Sequence, residues 1–280
     1  MRLHLLATLV ASAAVTAAVT AALVAAPAHA ATPGADPTPG STPAAEQALT
    51  DAQALVAPDA STPAPTADPT RDATMVLHRL SVLQDDLAGA DRVAADRLLA
   101  RPTDGNADPD GSGYQHPGDA LRACNPQLCV HWVESTGDQV STRDKDDSGV
   151  PDYVETVAET VSDVLDDYAA AGYRSPEPDG NLGGDSRMDI YLADVGSQGY
   201  YGYCNSDQDI PVRGPHDGWA YCVLDNNYSS NQFPTNTPRE NLQVTAAHEV
   251  FHAVQFAYDY FEDAWFMEAT ATWAEDELYD

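Results

Sequence analysis

The sequence predicts an α+β domain: a mixed sheet backed by one helix and followed by a pair of helices. Three observations carry this. Val154, Val157, Val161, Val164, Leu165 and Tyr168 recur at helical spacing across residues 151–171, and Gly172 is a natural stop. Strand-like runs stand at 130–133, 188–195, 199–204 and 219–224, separated by turn-rich segments. Leu242, Ala246, Val250, Val254 and Ala257 then mark a further helix, and 263–278 reads as its partner after a short turn.

The chain leading into that domain is expected to have three parts. Residues 1–30 read as a secretory signal peptide: Arg2 is a short positive start, 5–26 is apolar and Ala-rich, and Ala28, His29 and Ala30 form a small-x-small cleavage site. An uncleaved anchor is the rival reading, but alanine is weakly apolar and the cleavage site is clean. Residues 31–70 are rich in Ala, Pro, Thr and Ser and predict a disordered spacer. Residues 71–118 form a helical N-terminal segment. It carries Met75, Leu77, Leu80, Leu83, Leu87, Val93, Leu98 and Leu99 and ends at Arg101 and Pro102. It reads equally as a brace or as a pro-region. The domain proper is expected over 119–280.

Charge narrows the partners. The chain has 280 residues, 44 of them acidic and 13 basic, for a formal charge of −31. Nucleic acid and anionic membrane surfaces both require a basic patch, so neither is expected as a partner. Four cysteines in an exported chain predict two disulfides. Proximity favours Cys124 with Cys129 and Cys204 with Cys222.

Residues 144–155 match a calcium loop position by position. Asp144, Asp146, Ser148, the carbonyl of Val150, Asp152 and Glu155 fall where an EF-hand loop places its oxygens, and Gly149 falls at the turn. A strand-like segment precedes the loop in place of the usual entering helix. This predicts an isolated, structural Ca²⁺ site. Of the strands, 219–224 is expected at the sheet edge, with the polarity of nearby His216 and Asp225 read as that of a loop.

The segment that carries chemistry is 248–252, with the pattern H-E-x-x-H. Thr237, Pro238 and Glu240 provide an N-cap, a first-turn proline and a capping box for its helix. On that helix His248 and His252 stack one turn apart, where two imidazoles can share one Zn²⁺. Glu249 points away from them and suits a general base. Zinc needs a third ligand, and an antiparallel helix pair would return Glu268 to the histidines. Glu275 lies two turns further on the same face, placed to orient a ligand histidine.

These runs, 244–258 and 265–277, resemble the zinc metallopeptidases whose third ligand is a glutamate, the gluzincin group of the zincins. They are closest to a family of secreted bacterial metalloproteases that also carries D-x-D-x-x-G-V-P-D-Y, present here at 144–153. The likeness spans about residues 120–280. The metzincin pattern fails, because Gln255 and Tyr258 stand where it needs Gly and His. The resemblance implies a zincin-like fold and a secreted, extracellular metalloendopeptidase. A zinc-activated water would attack a protein or peptide substrate, with no stable membrane insertion after signal cleavage. It also implies an oxyanion donor that the sequence does not identify, and a helical C-terminal subdomain expected to be missing beyond Asp280. Two rivals stand beside it: a zinc hydrolase of non-peptide amides, and an exported calcium-stabilised binding module with a degenerate metallopeptidase site.

Overall fold

Strand alternation decides the architecture. The computed structural model describes residues 40–56, 73–104, 114, 120–210 and 215–279. In β3 (Met188–Ala193), Met188, Ile190 and Leu192 join one buried cluster, while Tyr191 and Ala193 join another. β5 (Tyr221–Asp225) divides likewise, Cys222 and Leu224 against Tyr221 and Val223. A strand buried on both faces needs helices on both, and the chain supplies them.

One face is covered by α4 (Asp152–Ala171) and by the pair α5 (Pro238–Phe256) and α6 (Ala264–Tyr279). In α4 the valines at 154, 157, 161 and 164 are fully buried. Each such side chain contributes about 1.5–3 kcal/mol. Gly172 ends the helix at φ 92°, a conformation glycine adopts without strain. The opposite face is covered by α1 (Pro43–Val56), α2 (Ala73–Leu83) and α3 (Gly89–Leu98).

This corrects the expectation of a disordered spacer over 31–70. Ala45, Ala48, Leu49, Ala52 and Leu55 form a buried stripe on α1. Its small alanines allow close packing on α2, so a composition that looks spacer-like still folds. The segment after it is also not one helix. A short 3₁₀ turn (Gln84–Asp86) and extended backbone at Leu87 and Ala88 separate α2 from α3, and Leu87 tucks into the core. Because α1 to α3 share a core with the sheet, the described residues from 40 onward fold as one unit, with no boundary at 118. The predicted signal peptide at 1–30, the remainder of the spacer and most of the 103–118 loop lie outside the described residues.

The sheet is mixed and runs β1-β2-β3-β5-β4, where β1 is Leu121–Cys124, β2 is Leu128–Trp132 and β4 is Gly202–Asn205. β2, β3 and β5 are parallel; β1 and β4 pair antiparallel at the two ends. The 219–224 run is therefore not the edge. β5 lies between β3 and β4, and the edge next to the α5 helix is β4. Both disulfides join register partners, Cys124 with Cys129 across β1 and β2, and Cys204 with Cys222 across β4 and β5. Among the described residues, no helix is long and apolar enough to cross a membrane.

Candidate metal centre

The helix that carries the histidines begins with a complete capping box. Thr237 Oγ1 accepts from the Glu240 amide at 3.3 Å, Glu240 accepts from the Thr237 amide at 2.8 Å, and Pro238 occupies the first turn. One turn apart on α5, His248 and His252 bring their Nε2 atoms to 3.0 Å. α6 runs back along α5, since Gln255 meets Thr270 while His248 meets Glu275. That places Glu268 Oε1 3.1 Å from His252 Nε2 and Glu268 Oε2 3.7 Å from His248 Nε2.

The acceptors behind the two rings assign a proton to each Nδ1. Gln255 donates its amide nitrogen to Met267 O at 2.9 Å and to Thr270 Oγ1 at 2.8 Å, so its oxygen faces His252 Nδ1, at 2.7 Å. A carbonyl oxygen only accepts, so His252 Nδ1 donates. Glu275 Oε1 lies 2.5 Å from His248 Nδ1, which donates for the same reason. With Nδ1 of each ring committed behind it, the Nε2 atoms are the ones turned towards each other and towards Glu268. Glu268 Oε1 is itself buried without a hydrogen bond.

Two imidazole nitrogens and a carboxylate oxygen gathered at one point can be compared with a metal's ligand geometry. Zinc bonds of about 2.0–2.1 Å on a tetrahedral centre separate ligand atoms by about 3.3 Å, and the observed spacings of 3.0, 3.1 and 3.7 Å bracket that value. The surrounding carboxylates make this point one that favours positive charge. Burial disfavours charge on His248, but Glu268 and Glu275 outweigh it and hold the ring well above its ordinary range. Burial pushes Glu268 up, but the two imidazoles outweigh it and hold the carboxyl below the usual carboxylate range. The donor set thus fits Zn²⁺.

Glu249 stands apart from the three. It is 7% exposed, and its Oε2 accepts a 2.7 Å hydrogen bond from Thr74 Oγ1. It shares with His248, Glu268, Glu275, Tyr201 and Gly202 a cavity of about 410 Å³. Two contributors to the site were not apparent in the sequence. Gln255 had a local signal, lying three residues after His252 on the same face. Thr74 had none, since it reaches the site from 175 residues away. The other metal-like grouping among the described residues, Cys124, Cys129 and Asp185, is a disulfide beside a carboxylate already paired with Arg187.

The 144–155 loop, read in the sequence as a calcium loop, is drawn in on itself. Asp144 accepts from the amides of Ser148 at 3.2 Å and Gly149 at 2.8 Å, and Asp146 from Ser148 at 3.2 Å. Ser148 Oγ donates to Glu155 at 2.8 Å and lies 3.2 Å from the Val150 carbonyl. Asp152 accepts from the Lys145 amide at 2.9 Å, and its second oxygen lies 3.3 Å from Lys145 Nζ. Gly149 takes φ 87°, as the turn position requires. Ser148, Val150 and Glu155 are thus brought together. Among the described residues, the loop carboxylates form no three-ligand group like that of the histidines.

Two polar features depart from the sequence reading. Asp225 does not belong to loop polarity. It is fully buried and accepts from Gly196, Asn227 and Tyr228 amides at 2.9, 2.9 and 2.6 Å, organising the turn after β5. Arg101, read only as a helix end, is buried among Asp179, Asp189 and Asp207 at 2.7, 2.5 and 2.7 Å, and His131 meets Asp189 at 2.7 Å. His216 lies 3.4 Å from Asp259 against the Phe261 ring, and neither belongs to the histidine cluster.

No protein-family model, curated protein or solved structure matches the chain.

Proposed function

We propose that the chain is a zinc-dependent metallopeptidase of an oxidising, extracellular compartment, hydrolysing peptide bonds with Glu249 as general base. One observation carries the reading. His248 Nε2, His252 Nε2 and a Glu268 oxygen converge within 4.8 Å, and a further carboxylate, Glu249, lines a cavity with His248 and Glu268 while standing outside the cluster. Two neutral imidazoles and a carboxylate are a zinc donor set. Zinc held there supplies Lewis acidity, acidifying water and polarising a carbonyl.

The chain's own residues do the rest. Glu249 takes the proton of the attacking water and passes it to the leaving amine. Glu275 and Gln255 hold the histidines in the tautomer that offers Nε2. Gly202, on the edge strand, lines the cavity, so a peptide laid along β4 meets backbone partners there. The two disulfides fit an oxidising compartment. The 144–155 loop would add a structural Ca²⁺ at the start of α4.

Elemental mass spectrometry on purified protein, with casein cleavage measured in parallel, tests this. About one zinc per chain is expected in wild type and in Glu249→Gln, none in His252→Ala, and turnover in wild type alone. Well-folded wild type without zinc would sink the reading and favour the calcium-stabilised binding module.

A further inference from the structure

Thr74 lies in the first turn of α2 and is fully buried. A buried hydroxyl needs partners for its proton and its lone pairs. Its oxygen accepts from the Cys204 amide at 2.9 Å. An amide can only donate, so the Thr74 proton is left for the other neighbour, Glu249 Oε2 at 2.7 Å. The direction of both bonds is thereby fixed.

The anchor for this bridge is rigid. Cys204 belongs to β4, is held in register opposite Cys222 and is bonded to it covalently. Its amide is spent on Thr74, away from a ladder partner. The hydroxyl is therefore a strut between the sheet edge and one oxygen of Glu249, leaving the other oxygen, Oε1, free of it.

We propose that Thr74 is a positioning residue for Glu249. It pins Oε2 to the edge strand, so that Oε1 is the oxygen presented to the water's proton. This rests on the peptidase reading of the site. It also gives α2 a part in the chemistry: a segment that sequence leaves open as a removable pro-region supplies a hydrogen bond to the proposed base.

The test compares Thr74→Val, which keeps the shape and removes the hydroxyl, with Thr74→Ser, which keeps the hydroxyl. In zinc-loaded protein, Thr74→Val is expected to lower kcat by about 10- to 100-fold, in the range seen when a group behind an active-site residue is removed. KM should stay within about twofold and zinc content should not change, because the hydroxyl touches neither substrate nor ligand atoms. Thr74→Ser should return kcat to within about threefold of wild type. Unchanged kcat in Thr74→Val overturns the proposal. So does an equal loss of kcat and of melting temperature in both variants, which would assign the hydroxyl to folding alone. A crystal structure of Thr74→Val decides the matter without turnover. A Glu249 carboxylate moved from its wild-type position supports the strut, and one left in place overturns it. Wild type that binds no zinc or cleaves nothing would instead fail the peptidase reading, and the crystal structure would still judge the strut.

Discussion

Glu275 Oε1 meets His248 Nδ1 at 2.5 Å, two turns along α6 from Glu268, so one helix supplies both a candidate ligand and the group that orients another. A metal-bound imidazole depends on the acceptor behind it for its tautomer and its basicity. Glu275→Ala removes that acceptor and leaves the three proposed ligands intact. Zinc affinity is expected to fall about 10- to 100-fold, read by competition with a chromophoric chelator. Undiminished affinity would count against the tautomer argument.

Arg101 offers a sharper stability test. It is 3% exposed and is the common partner of Asp179, Asp189 and Asp207. Arg101→Ala strands those carboxylates away from their shared cation. Breaking a buried pair in this way costs about 3–5 kcal/mol. Urea unfolding should register a loss of that order. A loss below 1 kcal/mol, the size of a surface ion pair, would show that water reaches the cluster.

Asp225 predicts a pH dependence. Burial raises its pKa to about 6 from 3.8, more than the three amide donors lower it. The folded state thus holds the proton more tightly than the unfolded chain. This contribution is full below about pH 4 and is lost as pH rises towards 6, by about 3 kcal/mol in all. The test is the difference in unfolding free energy between wild type and Asp225→Asn. It should decline across that window and be flat above it. A difference that rises with pH would mean that the amide donors win.

Calcium should act on the 144–155 loop and not on the histidines. Asp144 is held below the usual carboxylate range by the Gly149 amide and so stays charged for a cation. Saturating Ca²⁺ is expected to raise the melting temperature, and at a hundredfold excess over Kd the gain is about 2.7 kcal/mol. Glu155→Gln should weaken the effect by removing the ligand expected to be bidentate. Calcorimetric scans with and without chelator measure this. A wild type indifferent to calcium would mark the loop as a self-bonded turn.

The site was legible in the sequence to the extent that it is local. His248, His252 and the capping box at Thr237 lie within one helix, and the spacing of residues along a helix fixes their geometry. Glu268 and Glu275 needed one further step, a short turn that sends α6 back along α5. The strand pairing of Cys204 with Cys222 was within reach because few connectivities compete. What could not be read depends on contacts between distant segments. Nothing near Thr74 marks it as a partner of Glu249. Nothing in 219–224 tells that the preceding strand folds outside it. The alanines of α1 look like a spacer until a second helix covers Ala48 and Ala52.

The bond between Cys204 and Cys222 ties the quality of the cleft to where the protein resides. The two cysteines lie 18 positions apart in the chain, and their strands share only a four-residue ladder. Closing a loop of that length removes about 3 kcal/mol of unfolded-state entropy. In a reducing cytosol that constraint is absent. The strand that carries Gly202 and the Cys204 amide then rests on its ladder and on packing. Once the thiols are oxidised, the same wall becomes a fixed surface. A chain sampled before oxidation and one sampled after it would share a sequence and a metal-ligand set while differing in how firmly they present a substrate to the proposed base.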